Sequence, residues 1–132
     1  MTRGQLEGLR AMDRIIEQDK EQLRRMREVL EHPGHAELTG MPGGFREGDK
    51  IGEAIGRMEE LEARIRGEIL VYEKERAEIY EFCMSIPDNW IRSLVVWRNV
   101  NLYSWRKVAS KAHTSEQSVK MAYARWCKKT LE

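Results

Sequence analysis

The chain has 132 residues, of which 41% are hydrophobic and 34% are charged, so it can form one ordinary domain or two small ones but no large enzyme fold. It contains no run of about 18 apolar residues and no apolar signal-peptide core, and we expect a protein that stays inside the cell and enters no membrane. The net charge of +1 is unevenly distributed along the chain. Residues 86–132 carry nine basic and three acidic side chains, a net charge of +6, and residues 1–85 carry a net charge of −5. This asymmetry predicts that the C-terminal part binds nucleic acid, because neutralising phosphates supplies most of the sequence-independent affinity.

The first predicted element is a helix from residue 2 to about residue 31 with a coiled-coil seam. Its two heptad positions are occupied by Leu9, Ile16, Leu23 and Leu30, and by Met12, Asp19 and Met26. Asp19 costs stability in such a seam unless it is paired, and a polar residue there can set the register or the oligomeric state. The helix therefore needs a partner helix.

Residues 31–50 are predicted to be a flexible loop, because they contain two of the three prolines and five of the 10 glycines. His32 and His35 have the spacing of a metal-binding pair, but no third ligand is nearby, so we expect solvated histidines and no metal site. The glycines do not form a phosphate-binding loop, because no strand precedes them and no Gly-Lys-Ser/Thr follows.

A second long helix is predicted from Asp49 or Lys50 to about Met84. Its two heptad positions hold Ile51, Met58, Ile65, Tyr72 and Ile79, and Ile55, Ile69 and Cys83. Leu61, Leu70 and Val71 widen the apolar stripe, which indicates packing on the first helix and on a further partner, most simply a second copy of the protein. Residues 1–85 are thus predicted to form a long antiparallel helical hairpin that acts as a coiled-coil dimerisation arm.

Residues 86–132 are predicted to form a separate helical domain. Pro87 starts a core helix that reaches about Asn99, and all four tryptophans, which follow Asp88, are expected to be core residues. Ser104 can cap the next helix, whose inward residues are Trp105, Val108, Ala109 and Ala112. Thr114 or Ser115 can cap the last helix, with Gln117 placed to complete a capping box with Thr114. Its inward residues are Val119, Ala122 and Trp126. The pattern over residues 104–129 is a helix-turn-helix in an all-α protein.

The same stretch resembles region 4 of sigma-70-type factors, without gaps, over about 45 residues. The resemblance is carried by Ile86-Pro-Asp, Trp97-Arg98, Ser104-Trp-Arg-Lys-Val-Ala109, Thr114-Ser115, Ser118-Val-Lys120, Ala124-Arg125 and Lys128-Lys129. With Met41-Pro-Gly-Gly and Asp49-Lys-Ile-Gly-Glu-Ala-Ile before a long charged helix, the whole chain resembles phage-encoded transcription regulators of the ArpU and RinA kind. No part resembles sigma region 2, so the resemblance implies a DNA-binding late-gene activator in the cytoplasm of a bacterial host, and not a complete sigma factor.

Site residues follow from this resemblance position by position. The helix spanning residues 115–128 is implied to read base edges in the major groove, where Gln pairs with adenine, Glu with cytosine and Lys with guanine or phosphate. The implied base-reading residues are Glu116, Gln117, Ser118, Lys120 and Met121. The implied phosphate-binding residues are Arg106, Lys107, Lys111, Arg125, Lys128 and Lys129. His113 stands where the pattern has a glycine, which is tolerable because His is among the residues enriched with positive φ.

Two other functions remain open at this point. The chain could be a small-terminase-like DNA-packaging subunit, or an adaptor that contacts RNA polymerase and not DNA. An enzyme is not expected, because no catalytic carboxylate pair, nucleophile arrangement or phosphate loop is recognisable. Cys83 and Cys127 lack metal-ligand spacing and are expected to be free thiols, and no cofactor is expected. The predicted partners are double-stranded DNA, a second copy bound through the N-terminal helices, and RNA polymerase as a further candidate.

Overall fold

A computed structural model describes residues 1–31 and 47–132. Within them the chain is all helical, as predicted, with no strand. The helices are α1 (Arg3–Leu6), α2 (Leu9–Glu31), α3 (Glu47–Met84), α4 (Asn89–Asn99), α5 (Trp105–Ala112) and α6 (Glu116–Thr130). None of these helices is both long and apolar enough to cross a membrane.

The predicted loop of residues 31–50, with His32 and His35, lies outside the described residues except at its two ends. Glu31 is the last residue of α2, and residues 47–50 already belong to α3. The long helix thus begins slightly earlier than predicted. At the other end of α2 the prediction of one continuous helix from residue 2 is wrong, because α1 ends at Leu6 and α2 begins at Leu9.

The chain divides into two compact units. The first, which we call the head unit, comprises Met1–Asp13 and Val71–Glu132, and the second, which we call the arm unit, comprises Arg14–Leu70. The division does not fall between residues 85 and 86, where the sequence suggested a domain boundary. The physical reason is that Leu6 and Leu9 are completely buried in a core that also contains Tyr123 and Cys127 of α6.

The core of the head unit consists of two clusters. The larger one joins the N-terminal residues to the end of α3 and to α6, and the smaller one lies among α4, α5 and α6, which pack against one another. The buried residues of the larger cluster are Leu6, Leu9, Ile79, Cys83, Ile86, Val95, Val100, Tyr123 and Cys127. Those of the smaller cluster are Leu94, Val108, Ala109 and Val119. Removing this much apolar surface from water is the main force that holds the short helices in place.

The tryptophans do not occupy the centre of this core. Trp97, Trp105 and Trp126 are partly buried and pack around it, whereas Trp90 is 44% exposed. The expectation that Trp90 is a core residue is therefore wrong. Its position explains this, because Asp88 caps α4 through the Trp90 and Ile91 amides at 2.9 and 3.0 Å, and the first helical turn begins at the surface. Among the residues that the structure describes, the largest fully buried side chain is instead Tyr123.

In the arm unit, three apolar residues of the predicted seam are buried: Ile16 and Leu23 of α2 and Ile65 of α3. Asp19, the polar residue of the seam, is paired as its position requires: its carboxylate accepts from the Arg64 guanidinium at 2.7 and 3.2 Å. That hydrogen bonding holds the pKa of Asp19 below its ordinary value.

Several apolar side chains of α3 in the arm unit are exposed. Ile51 and Ile55, which the heptad pattern placed in the seam, are 49% and 43% exposed, and Leu70 is 72% exposed. Isolated exposed apolar residues are common on soluble proteins. Ile51 and Ile55 are neighbours one helical turn apart on α3, and a contiguous exposed apolar surface of this kind is more typical of a contact with a partner.

Candidate nucleic-acid interface

The candidate interface is built on α5, α6 and the turn between them. The Ser104 hydroxyl caps α5 by accepting from the Lys107 amide at 3.2 Å, as predicted. The helix ends at Ala112, and the next residue, His113, has φ of 56° and ψ of 43°, in the left-handed region. The Thr114 amide then donates to the Ala109 carbonyl at 3.1 Å, so the carbonyls at the end of α5 are satisfied in the manner of a glycine-terminated helix. This turn allows α6 to start three residues later.

The cap of α6 is Ser115, one of the two predicted candidates. Its hydroxyl accepts from the Ser118 amide at 3.1 Å and donates to the Ser118 hydroxyl at 2.9 Å. The predicted capping box between Thr114 and Gln117 is wrong, because with the cap at Ser115 the third helical residue is Ser118. As a result, the side-chain amide of Gln117 takes no part in capping α6.

Helix α6 separates a buried face from an exposed one. Val119, Tyr123 and Cys127 are buried, and α6 is anchored to the head unit through them. The five residues assigned to base reading are all exposed: they are Glu116, Gln117, Ser118, Lys120 and Met121. Because the α-helix repeats every 3.6 residues, Gln117, Met121, Ala124 and Lys128 form one outward line along its length.

One contact joins two of the base-reading candidates. Lys120 Nζ lies 3.9 Å from Glu116 Oε2, one helical turn apart, and both side chains are about half exposed. Ion pairs of this exposure contribute little to stability. Either partner can therefore exchange this contact for one with a ligand at small cost.

The basic residues of α5 stand next to an aromatic ring. Arg106, Lys107 and Lys111 are exposed, and Lys107 Nζ lies 3.9 Å and Lys111 Nζ 5.7 Å from the centroid of the Tyr103 ring. A cation over an aromatic face is weakly attracted to it. The ring thus limits where the two ammonium groups point. The sequence did not single out Tyr103.

The basic residues of the second half of α6 fall into two places. Lys128 lies on the outward line of Gln117 and Met121. Arg125 and Lys129 instead line a groove whose other walls include Ile86, Pro87 and Trp126. All three are exposed. Arg125 and Lys129 follow Ser118 by seven and eleven residues, and so lie on the same side of α6 as that base-reading candidate.

Behind α6 a polar network links it to the N-terminal residues. The Tyr123 hydroxyl donates to Glu7 Oε2 at 2.8 Å and accepts from Asn99 Nδ2 at 3.2 Å. Burial raises the pKa of Tyr123, so the phenol stays protonated. Arg10 donates to the carbonyls of Arg98 and Tyr103, at 3.1 Å each, and thereby fixes the connection that leads into α5.

Sequence reasoning missed this support by the first 13 residues. Thr2 and Gln5 have the spacing of a capping box, and both of its hydrogen bonds are formed, at 3.1 and 2.8 Å. Such a box marks where a helix starts and not where it ends. It therefore gave no sign of the break between Leu6 and Leu9.

Comparisons of the chain with protein-family models, with curated proteins and with solved structures found no match.

Proposed function

We propose that the protein is a sequence-specific, double-stranded-DNA-binding transcriptional regulator, which reads the major groove with the helix over residues 115–128. One observation carries the proposal. The α5–α6 turn presents five side chains that can contact bases on the outside of a helix whose opposite face is buried. This is the arrangement of a helix-turn-helix reader, in which the start of the second helix enters the groove.

The exposed groups at the start of α6 suit base edges. Gln117 can form two hydrogen bonds with an adenine, Lys120 can donate to a guanine, and Glu116 can accept from a cytosine. Met121 provides an apolar surface for a thymine methyl group. A mixed set of this kind favours sequence preference over binding to any duplex.

Phosphate contacts are proposed for residues on either side of the reading surface. Arg106, Lys107 and Lys111 on α5 and Lys128 on α6 can contact the backbone, and Arg125 and Lys129 can take part where the duplex reaches their groove. Contacts of this kind orient the protein on DNA and carry no sequence information directly. They also make the affinity depend steeply on salt.

We further propose that the protein acts as a homodimer held through its N-terminal helices, arranged as a helical hairpin. The exposed apolar residues of the arm unit, Ile51, Ile55 and Leu70, support such a contact. A two-fold dimer reads two half-sites related by symmetry. Together with the resemblance to phage regulators, this supports a role in activating late genes.

The experiment is selection of binding sites from random duplex DNA by the full chain, followed by titration of single variants on the selected site. Gln117→Ala and Lys120→Ala should each lose about 1 to 3 kcal/mol on that site and little on random DNA. Lys111→Ala should weaken binding to both DNAs alike and lower the salt slope by about 1. Lys20→Ala, in the arm unit, is the matched control and should change neither affinity nor slope.

The same measurements separate the other functions. If Gln117→Ala and Lys120→Ala bind the selected site as well as the parent, the base-reading assignment is wrong. If the protein retains no DNA even at low salt, it is not a DNA-binding regulator, and the adaptor function becomes the better explanation. A stable ring of eight or more copies in light scattering would favour the packaging function.

A further inference from the structure

The head unit contains an apolar groove that none of the five base-reading candidates lines, although two of the proposed phosphate contacts, Arg125 and Lys129, lie on its α6 wall. The groove has a volume of about 760 Å³ and lies where the end of α3, the start of α4 and the second half of α6 meet. Its apolar walls come from Phe82, Ile86, Pro87, Ile91 and Trp126. An apolar concavity that is open to solvent marks a surface on which a ligand or a partner can bury apolar groups.

A side chain suited to this groove is exposed next to it on the same molecule. Trp90 is 44% exposed in the first turn of α4, and the residues on either side of that turn, Asp88 and Ile91, line the groove. Tryptophan has the largest apolar surface of any side chain and is enriched at the centres of protein interfaces. A protrusion and a cavity therefore lie side by side on one surface of the head unit.

The groove also has charges of both signs on its walls, which two copies of the same surface could pair with each other. Arg125 and Lys129 lie on its α6 wall, and Asp88 lies on its α4 wall. Among the described residues neither Arg125 nor Lys129 forms an ion pair, since no salt bridge of the structure includes them. A second molecule that inserts its own Trp90 brings its Asp88, two residues away, towards these two cations.

We propose that the groove binds a second copy of this chain, with Trp90 of each copy inserted into the groove of the other. In a two-fold contact the same surface is used by both copies, so each must carry both the protrusion and the cavity. The head unit carries both, together with opposite charges to match. Every favourable contact then occurs twice in the dimer.

This contact deepens the proposed function, on which it rests for the role of the dimer. It joins the two head units directly, in addition to any contact between arm units. Because α6 forms one wall of the groove, the contact fixes the distance and angle between two reading helices. The spacing of the DNA half-sites would then be set by the groove.

The first test is sedimentation of the full chain over a range of concentrations. Trp90→Ala should raise the dimer dissociation constant by about thirtyfold or more, as expected for a central tryptophan. Lys129→Gln should raise it by a smaller factor. Tyr80→Ala, which removes a ring that is also 44% exposed but does not line the groove, is the matched control and should leave the dissociation constant unchanged.

The second test locates the contact. Asn89→Cys and Thr130→Cys place thiols beside Trp90 and at the rim of the groove, and the native Cys83 and Cys127 are buried. A mixture of the two single variants should be joined across copies by a short bismaleimide, and Trp90→Ala in both should abolish the product. Ser110→Cys mixed with Thr130→Cys is the control, because Ser110 is exposed on α5 and does not line the groove.

The proposal stands only if both tests succeed. An unchanged dissociation constant for Trp90→Ala, or cross-linking no more efficient than that of the Ser110 control, overturns it. Its failure is distinguishable from failure of the proposed function. Loss of site-selective DNA binding by the parent protein refutes the regulator, whereas the two tests above are made without DNA.

Discussion

The first 13 residues are expected to be as important for the stability of the head unit as residues of α6 itself. Leu6 and Leu9 are both 0% exposed. Leu6→Ala removes three carbon atoms, the equivalent of three methylene groups, which at about 0.8 kcal/mol each gives roughly 2.4 kcal/mol of lost transfer free energy. The cavity left behind adds to this, and buried leucines replaced by alanine cost about 2 to 5 kcal/mol in total. We therefore expect Leu6→Ala to lower the free energy of unfolding by about 3 kcal/mol.

The assay is equilibrium urea unfolding of the full chain, followed by the fluorescence of the four tryptophans, all of which lie in the head unit. Ile15→Ala is the control, because it also removes three carbon atoms, but from a side chain that is 49% exposed, and it should change stability by no more than about 1 kcal/mol. If Leu6→Ala costs less than about 1 kcal/mol, the N-terminal residues do not belong to the core of the head unit. A domain of residues 86–132 would then be the better description.

Three further outcomes are expected. Tyr123→Phe removes the hydroxyl that bonds to Glu7 and Asn99 and should lower the free energy of unfolding by about 1 to 3 kcal/mol in urea, whereas Tyr80→Phe, at an exposed ring, should not; equal effects would contradict the network. His113→Gly should raise stability by about 0.5 kcal/mol and His113→Val should lower it by more than that, since φ at this position is 56° and favours glycine; a destabilised glycine variant would be inconsistent with the left-handed turn. Burial raises the pKa of the Cys83 thiol from 9.0 to about 11. The unfolded chain therefore loses this proton at lower pH than the folded chain, and the free energy of unfolding should fall as the pH rises from about 9 through 11. This decline should be smaller in Cys83→Ala, and equal pH dependence of the two proteins would refute the prediction.

Local signals in the sequence predicted the local structure of the C-terminal helices well. The caps at Ser104 and Ser115, and the inward positions Val108 and Val119, follow from hydrogen-bonding chemistry and helical spacing, and the structure has them. His113 shows the same: its left-handed conformation follows from its place in the turn. By contrast, Leu102 has φ of 58°, and no residue type near it indicated this, because leucine has no intrinsic preference for that region.

Contacts between distant parts of the chain could not be predicted. The heptad pattern assigned Leu9 to a coiled-coil seam, and periodicity alone cannot tell which partner buries an apolar face. In the structure that residue packs in the core that contains Tyr123 and Cys127. The heptad pattern likewise placed Ile51 and Ile55 in the seam, where they are substantially exposed.

The candidate site shows the same limit. The helical period predicts which residues of α6 are exposed once Val119 is placed inside: Glu116, Gln117, Ser118, Lys120 and Met121. It does not predict the groove beside Arg125 and Lys129, because three separate helices form that groove. It also does not predict that Tyr103 lies beside two lysines, because this position depends on how Arg10 holds the connection before α5.

The hydrogen bond between Glu7 and Tyr123 joins residues 116 positions apart, which has a consequence for how the protein is made. During synthesis the N-terminal residues leave the ribosome long before α6 exists, so Leu6 and Leu9 lack their partners in α6, Tyr123 and Cys127, until almost the whole chain has emerged. Contacts between such distant residues slow folding and leave apolar surface open in the meantime. Helix α6 should therefore acquire its final packing among the last events of folding.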